Sequence, residues 1–259
     1  MHDRAVAVIT GAGRGIGAAT ARRFAQRGWR VALLDRDAAT VAAIATELGA
    51  SCCWSGSADV SEYASLQRAA AEIAHVTDRV DVLVNNAGIL RVGPFESISQ
   101  ADAEAQIRVN VIGTVNGVYA FFDALEATRG AAIVNLASAS SIYGTPDFAV
   151  YSATKFAVRG LTEALEIEFR RRHDIRVCDI SPPFVRGAML GEQTFRPSSL
   201  DRLGVEATPE TVAELVLEAA LAKNGRVHYT LEAGQRALRS LSALPALTRP
   251  VMARLMGYG

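Results

Sequence analysis

The chain has no excess of either positive or negative charge: its 259 residues include 27 Lys and Arg and 27 Asp and Glu. A formal net charge of zero gives no overall basic field that would attract nucleic acid. Cysteine is scarce as well. Cys52 and Cys53 are adjacent and Cys178 lies far along the chain, so neither a disulfide framework nor a zinc-ligand spacing is present. His75 and His228 are isolated in the sequence, and we expect no metal site.

Long apolar runs are also missing, so no segment is expected to cross a bilayer. The chain does not open with a charged leader followed by a long apolar stretch, and we expect a reducing, soluble, cytoplasmic protein. Half of the residues are hydrophobic, which argues against disorder. The length suits one large domain with a buried core.

Short apolar segments alternate with helical patterns along the whole chain. The predicted strands cover residues 5–9, 31–34, 51–55, 80–85, 131–137, 175–180 and 226–230. They are continuously apolar, as expected when both faces of a parallel sheet are covered. Helical patterns lie between them at residues 17–27, 38–48, 62–75, 103–125 and 151–172. We therefore predict an α/β fold, a doubly wound, Rossmann-like sheet of seven parallel strands in a single domain over residues 1–259.

A glycine-rich turn, T-G-A-G-R-G-I-G, occupies residues 10–17 between the first predicted strand and the first helix. Its glycines let the backbone approach a pyrophosphate, to which the helix N-terminus offers free N–H groups. Asp35 ends the second strand, where a carboxylate can bind the ribose hydroxyls of NAD and would repel the 2′-phosphate of NADP. Arg14 and Arg36 are basic residues beside these positions, so NAD is preferred while NADP stays open.

A second group of polar residues follows the middle of the chain. Tyr151 and Lys155 are four residues apart at the start of a predicted helix, so they share one face. Ser138 ends the fifth strand, at the sheet edge where ligands bind in open α/β folds, thirteen residues before Tyr151. Asn110 stands within a predicted helix, where an asparagine is a mild defect without another purpose.

Together these motifs resemble those of the short-chain dehydrogenase/reductase family, over residues 4 to about 190. The resemblance implies hydride transfer between a nicotinamide cofactor and an alcohol or carbonyl compound. It makes Tyr151 the general acid/base, Lys155 a partner of the nicotinamide ribose, Ser138 the group that orients the substrate oxygen, and Asn110 the anchor of a relay water. A tyrosine pKa near 10 must fall by about three, roughly 4 kcal/mol, and we expect the charges of Lys155 and the nicotinamide to lower it.

The resemblance also implies the cofactor contacts. Asp59 and Val60 resemble the family's adenine-contacting pair, and residues 85–88 resemble its N-N-A-G signature. The expected cofactor-binding residues are Gly11, Arg14, Gly15, Ile16, Gly17, Asp35, Asp59, Val60, Asn86, Ala87, Gly88, Tyr151, Lys155, Pro182 and Val185. After the sixth strand the family has P-G-x-V-x-T, but here Pro183 replaces the glycine and Gly187 the threonine.

Two segments outside these motifs lead to further expectations. Residues 183–207 form a long connection rich in apolar side chains, which we predict to be a lid over a largely apolar secondary alcohol. Residues 233–259 form a basic amphipathic tail, for which packing on the body or on another subunit is favoured over an anionic membrane surface. We expect a homodimer or homotetramer.

Three functions remain in competition at this point. The first is an NAD-dependent dehydrogenase of a secondary alcohol, and the second an NADP-dependent carbonyl reductase with the same catalytic residues. The third is a nucleotide-sensing protein that kept the fold and lost catalysis. The presence of Ser138, Tyr151, Lys155 and Asn110 together favours an enzyme.

Overall fold

The computed structural model describes residues 4–205, 207–231 and 254. Its centre is a sheet of seven parallel strands in the order β3-β2-β1-β4-β5-β6-β7, which confirms the predicted fold. The strands are β1 (Val6–Thr10), β2 (Arg30–Asp35), β3 (Cys52–Ser57), β4 (Val82–Asn85), β5 (Ala132–Leu136), β6 (Arg176–Ile180) and β7 (His228–Tyr229).

Helices cover both faces of the sheet. They are α1 (Gly15–Gln26), α2 (Ala38–Leu48), α3 (Tyr63–Ala74), α4 (Gln100–Ile107), α5 (Gly113–Glu126), α6 (Ala149–His173), α7 (Ala188–Gly191), α8 (Ser198–Leu203) and α9 (Pro209–Leu221). On one face, Phe24 of α1 and Val216 of α9 pack in one buried core. On the other face, Leu66 of α3 and Phe121 of α5 belong to a second core. This double covering explains why β1, β4 and β5 are buried along their whole length.

Several boundaries differ from the sequence prediction. The single helix expected over residues 103–125 is α4 and α5 joined by a π-helical turn at Arg108–Ile112. Helix α6 begins at Ala149, two residues early, and β7 is shorter than expected. The connection over residues 183–207 is not wholly irregular, since it contains α7 and α8.

Helix α9 was not assigned from the sequence, although its first residues carry a signal. The Thr208 hydroxyl accepts a hydrogen bond from the Thr211 amide at 3.3 Å, and Pro209 takes the first helical position. Both features are typical of helix N-termini. In the described part of the chain, no helix has the length and apolar character that a membrane span requires.

The strand order fixes where a ligand can bind. Strand β1 lies between β2 and β4, so the chain leaves β1 toward one side and returns on the other. In open parallel sheets this reversal opens a crevice at the carboxyl ends of the strands. The glycine-rich turn after β1 and the polar residues after β4 and β5 all lie at that edge.

Candidate active site

The glycine-rich turn is a tightly packed structure that depends on its glycines. Gly11 and Gly15 have φ values of +64° and +54°, a region that disfavours other residues. A Cβ atom on Gly17 would lie 2.0 Å from the Gly11 carbonyl oxygen, so only glycine allows α1 to begin this close to the turn. The Asn86 Nδ2 donates to the carbonyl oxygens of Thr10 and Gly11, at 2.9 and 3.0 Å, and holds the turn against the end of β4.

The start of α1 offers a cradle for an anion. Arg14 is its N-cap residue and makes no capping hydrogen bond with its side chain, and the first turn carries no acidic residue. The first N–H groups of the helix therefore lack a capping side chain and point where the positive end of the helix dipole favours negative charge. A Cβ on Gly15 would meet no atom within 4 Å, so the space beside the turn is open. These features fit the pyrophosphate of a dinucleotide.

Asp35 lies at the end of β2 beside this cradle, half-buried. Its Oδ2 accepts from the Gly13 amide at 2.9 Å, which aims the carboxylate at the turn. The Arg14 side chain is paired with an acid, because its Nη1 lies 3.0 Å from Oε1 of Glu192, just after α7. Arg36 is exposed. Of the two arginines that could bind a 2′-phosphate, one is therefore paired with an acid from the predicted lid.

The other expected cofactor contacts border the same crevice. Asp59 Oδ1 accepts from the amide and the hydroxyl of Ser61, at 2.9 and 2.7 Å. Val60 is buried beneath α5, where a Cβ on Gly113 would lie 2.6 Å from its Cγ2. A Cβ on Gly88 would lie 3.3 Å from Asn110 Oδ1 and 3.8 Å from Lys155 Nζ, so this segment connects the cofactor end to the catalytic residues.

Tyr151 and Lys155 share one face of α6, as the spacing predicted. The Lys155 Nζ donates to the Leu136 carbonyl oxygen at 2.7 Å and lies 5.6 Å from the centre of the Tyr151 ring. Lys155 is buried, whereas Tyr151 is only partly buried at the edge of the crevice. The carbonyl at the end of β5 thus fixes the amine behind the tyrosine.

The pKa of Tyr151 moves in the direction opposite to the one expected from the sequence. Burial of the phenol raises its pKa from 10.0 to about 12, and a hydrogen bond with Ser138 acts against this rise. Burial likewise lowers the pKa of Lys155 from 10.5 to about 8. In the protein alone, desolvation of the phenol outweighs the effect of the Ser138 hydrogen bond. The expected lowering of this pKa by Lys155 together with a bound nicotinamide stays a prediction.

Asn110 has a purpose that explains its place in a helix. It sits in the π-helical turn between α4 and α5, and its Oδ1 accepts from the Ile89 amide at 2.8 Å. Its Nδ2 donates to the Ile89 carbonyl at 3.0 Å and to Thr154 Oγ1 at 3.1 Å. The π turn therefore brings Asn110 against the loop after β4 and against α6, next to Lys155.

Ser138 follows β5 and begins a short 3-10 turn over Ala139–Ser141. Its Oγ accepts from the Ser140 amide at 3.2 Å and is hydrogen-bonded to Tyr151. Ser140 and Ser141, which are near enough in sequence to compete for its role, are both buried. Ser138 is therefore the serine of this turn that meets Tyr151.

The connection after β6 is bonded to the turn after β5 at its start, and its two ends pair with each other. The Pro182 carbonyl accepts from the Ala139 amide at 2.9 Å, and Val185 forms a parallel bridge with Ala207. Apolar side chains of this segment pack on the catalytic side, in a cluster of Leu90, Val92, Phe148, Tyr151, Phe184, Leu190 and Phe195. The predicted tail, residues 233–259, lies outside the described residues except for Arg254.

Three residues of this site were not found from the sequence. Thr10 Oγ1 accepts from the amides of Asn86 and Ala87, at 3.0 and 3.1 Å. Thr154 Oγ1 accepts a hydrogen bond from Asn110, and Glu192 forms an ion pair with Arg14. Only Thr10 carried a signal, because it opens the glycine-rich motif. No group of three or more His, Cys, Asp or Glu residues in the described ranges could hold a metal ion.

Comparison with known proteins agrees with this geometry. The family model for short chain dehydrogenases matches residues 5–196. The D-threitol dehydrogenase of Mycolicibacterium smegmatis is 35% identical over 235 residues, which are 86% of this chain and 90% of that protein. The galactitol 2-dehydrogenase (L-tagatose-forming) of Cereibacter sphaeroides is 40% identical over 197 residues, 75% of this chain and 77% of that protein.

A solved structure extends the similarity over almost the whole chain. A short chain dehydrogenase/reductase from Burkholderia phymatum, crystallised in complex with NAD, superimposes with a TM-score of 0.82 at 28% identity. The match covers 96% of this chain and 95% of that one. With the glycine-rich turn after β1 and the tyrosine and lysine on α6, this chain belongs to the short-chain dehydrogenase family of oxidoreductases.

Proposed function

We propose that this protein interconverts a secondary alcohol and its ketone by hydride transfer with NAD, using Tyr151 as the general acid/base. The observation that supports this most directly is the convergence of Ser138, Tyr151, Lys155 and Asn110 at one edge of the sheet. The anion cradle at the start of α1 lies at the same edge. A bound nicotinamide would supply the acceptor or donor of the hydride.

The residues of the chain divide the remaining work. Tyr151 exchanges a proton with the substrate oxygen, and Ser138 holds that oxygen beside the phenol. Lys155, with a pKa of about 8, still carries its charge at neutral pH and adds positive potential where water is excluded. Asn110, fixed by three hydrogen bonds, anchors the water that we assign to the proton relay.

The preference for NAD over NADP rests on charge. Asp35 places a carboxylate at the end of β2, where it would repel a 2′-phosphate. The pairing of Arg14 with Glu192 reduces the positive charge available to that phosphate. The structural relative named above was crystallised with NAD. A carbonyl reductase using NADP remains the alternative, with Arg36 as its phosphate partner, and titration with both cofactors separates the two.

The substrate side favours an apolar alcohol. Phe184, Leu190 and Phe195 of the predicted lid pack with Phe148 and Tyr151, so the walls near the phenol are largely hydrocarbon. A polyol is the second candidate, since the two named relatives act on threitol and galactitol. A panel of cyclic, aromatic and long-chain secondary alcohols beside threitol and galactitol, with NADH formation as the readout, decides between them.

The catalytic assignment is tested by Tyr151→Phe, which keeps the ring and removes the hydroxyl. We expect kcat to fall by about 10²–10⁴-fold with NAD affinity unchanged. Tyr119→Phe is the matched control, because Tyr119 is an exposed tyrosine on α5. More than about a tenth of wild-type kcat in Tyr151→Phe would remove Tyr151 from this role. NAD binding by a wild type that turns over none of the panel would favour a nucleotide-sensing protein.

A further inference from the structure

Behind Ser138 lies a chain of buried polar side chains that the proposed chemistry does not use. The Ser141 Oγ donates to the Ser138 carbonyl oxygen at 2.6 Å and lies 3.3 Å from Ser181 Oγ. Ser181 Oγ in turn donates to Asp179 Oδ1 at 3.2 Å. Ser141, Ser181 and Asp179 have no exposed surface. This first arm connects a buried carboxylate on β6 to the backbone of the catalytic serine.

A second arm leads from the same carboxylate to Ser141. Asp179 Oδ2 lies 2.5 Å from His228 Nδ1 on β7, and His228 Nε2 lies 3.1 Å from Glu163 Oε1 on α6. That Glu163 oxygen accepts from Arg159 Nε at 2.9 Å, and Arg159 Nη1 donates to the Ser141 carbonyl at 3.1 Å. The two arms close into a ring of six side chains, which we call the serine-support ring (Ser141, Ser181, Asp179, His228, Glu163 and Arg159).

Acidic and basic side chains of the serine-support ring alternate along the second arm. Both nitrogens of His228 face a carboxylate oxygen, Nδ1 that of Asp179 and Nε2 that of Glu163. Asp179 is fully buried, and a buried carboxylate is tolerated only when it is paired. Carboxylate, imidazole, carboxylate and guanidinium therefore follow one another from β6 to α6. His228, which looks isolated in the sequence, is the link between two carboxylates.

We propose that Asp179 and His228 are positioning residues for Ser138, acting through Ser141 to hold the turn at residues 138–141 in its reactive geometry. The role rests on the proposed function, because Ser138 matters only if it orients a substrate oxygen. A 3-10 turn has weak internal hydrogen bonds, so anchoring by side chains decides where the residue before it, Ser138, lies. The ring contacts Ser141 at two points, its hydroxyl and its carbonyl oxygen. The Ser141 hydroxyl in turn donates to the Ser138 carbonyl oxygen.

The decisive variant is Asp179→Asn, which keeps the size of the side chain and removes the charge that both arms share. We expect kcat to fall about ten-fold, since a displacement of 1 Å at a reacting group costs on the order of 10²-fold and the turn keeps its backbone contacts. Cofactor affinity should change by less than about two-fold, because none of the six ring residues is among the expected cofactor contacts.

Glu166→Gln is the matched control. Glu166 also joins α6 to β6, since its Oε2 accepts from the Val177 amide at 2.6 Å, and it pairs with Arg170. It takes no part in the serine-support ring. Both substitutions should therefore lower Tm, whereas only Asp179→Asn should lower kcat.

The pH profile gives a readout that a purely structural role would not move. The hydrogen bond from Ser138 lowers the pKa of Tyr151, so a displaced Ser138 leaves that pKa higher. The rising limb of the plot of kcat against pH should shift to higher pH in Asp179→Asn and His228→Gln, and stay in place in Glu166→Gln. Wild-type kcat and an unmoved limb in Asp179→Asn would overturn the proposal.

Two further measurements keep the test decisive. If Asp179→Asn does not fold, Ser181→Ala cuts the first arm without disturbing a charge and should still lower kcat, by about three-fold, and unchanged kcat would count against the ring. Amide hydrogen exchange at residues 138–142 should be faster in the ring variants than in Glu166→Gln, and equal rates would refute the support role. Hydrogen exchange can be measured without turnover. A wild-type protein that is inactive on every alcohol would therefore contradict the proposed function, while the exchange rates would still test the support role of the ring.

Discussion

Replacing Lys155 by methionine should stabilise the protein while it abolishes turnover. The amine is buried, and its pKa is lowered from 10.5 to about 8 by loss of solvation. At about 1.4 kcal/mol for each pH unit, the folded state bears a penalty of about 3 kcal/mol for the charged amine at pH 7. Methionine fills a similar volume without charge and gives up one hydrogen bond to Leu136, which is worth about 1 kcal/mol. The expected net gain is about 2 kcal/mol.

The pH dependence of the stability difference separates the effect of the lysine charge from the effect of side-chain packing. Between pH 8 and 10.5 the unfolded chain still holds the lysine proton while the folded chain has released it, so wild-type stability rises with pH in this window. The advantage of Lys155→Met should therefore shrink to less than about 0.5 kcal/mol at pH 10. Urea unfolding of the cofactor-free protein at pH 7 and pH 10, at one protein concentration, measures both differences.

Lys223→Met is the control, because Lys223 is the only other lysine of the chain and is exposed. Its effect should be within about 0.5 kcal/mol at both pH values. If the difference between Lys155→Met and wild type is the same at pH 7 and pH 10, the amine does not carry a solvation penalty. The inference that a desolvated charged amine lies beside Tyr151 would then be refuted.

Three further changes test the cofactor end. Asp35→Ser should raise kcat/KM for NADP relative to NAD by about ten-fold or more, since a like charge near the 2′-phosphate is removed; a wild type that already prefers NADP would contradict this. Gly17→Ala should abolish NAD binding in a fluorescence titration and lower the free energy of unfolding in urea by about 1–3 kcal/mol, because the new Cβ would lie 2.0 Å from the Gly11 oxygen. Unchanged NAD affinity would show that the turn can adjust. Glu192→Gln should release Arg14 and raise kcat/KM for NADP by up to about five-fold at low salt, the limit for an exposed ion pair. An effect that persists at 1 M salt would not be electrostatic.

The sequence by itself determined the fold and the family. Continuous apolar segments separated by helical patterns specify parallel strands covered on both faces, and the described residues form seven of them in one sheet. The four-residue spacing of Tyr151 and Lys155 placed them on one helix face, because helix geometry is local. The sequence also indicated the site positions after β1, β2, β4 and β5, because parallel strands end at a common edge of the sheet. Their roles in catalysis remain predictions.

Only the tertiary structure decided what surrounds these residues. The pKa of Tyr151 rises instead of falling, because solvation depends on every atom packed around the phenol, including lid residues more than thirty positions away. His228 meets Asp179 across 49 positions, and Arg14 meets Glu192 across 178. No periodicity or motif reports such contacts, because the folded chain brings together side chains from different elements. Local spacing therefore specified which groups reach the site, and long-range packing set their charge, their partners and their exposure to water.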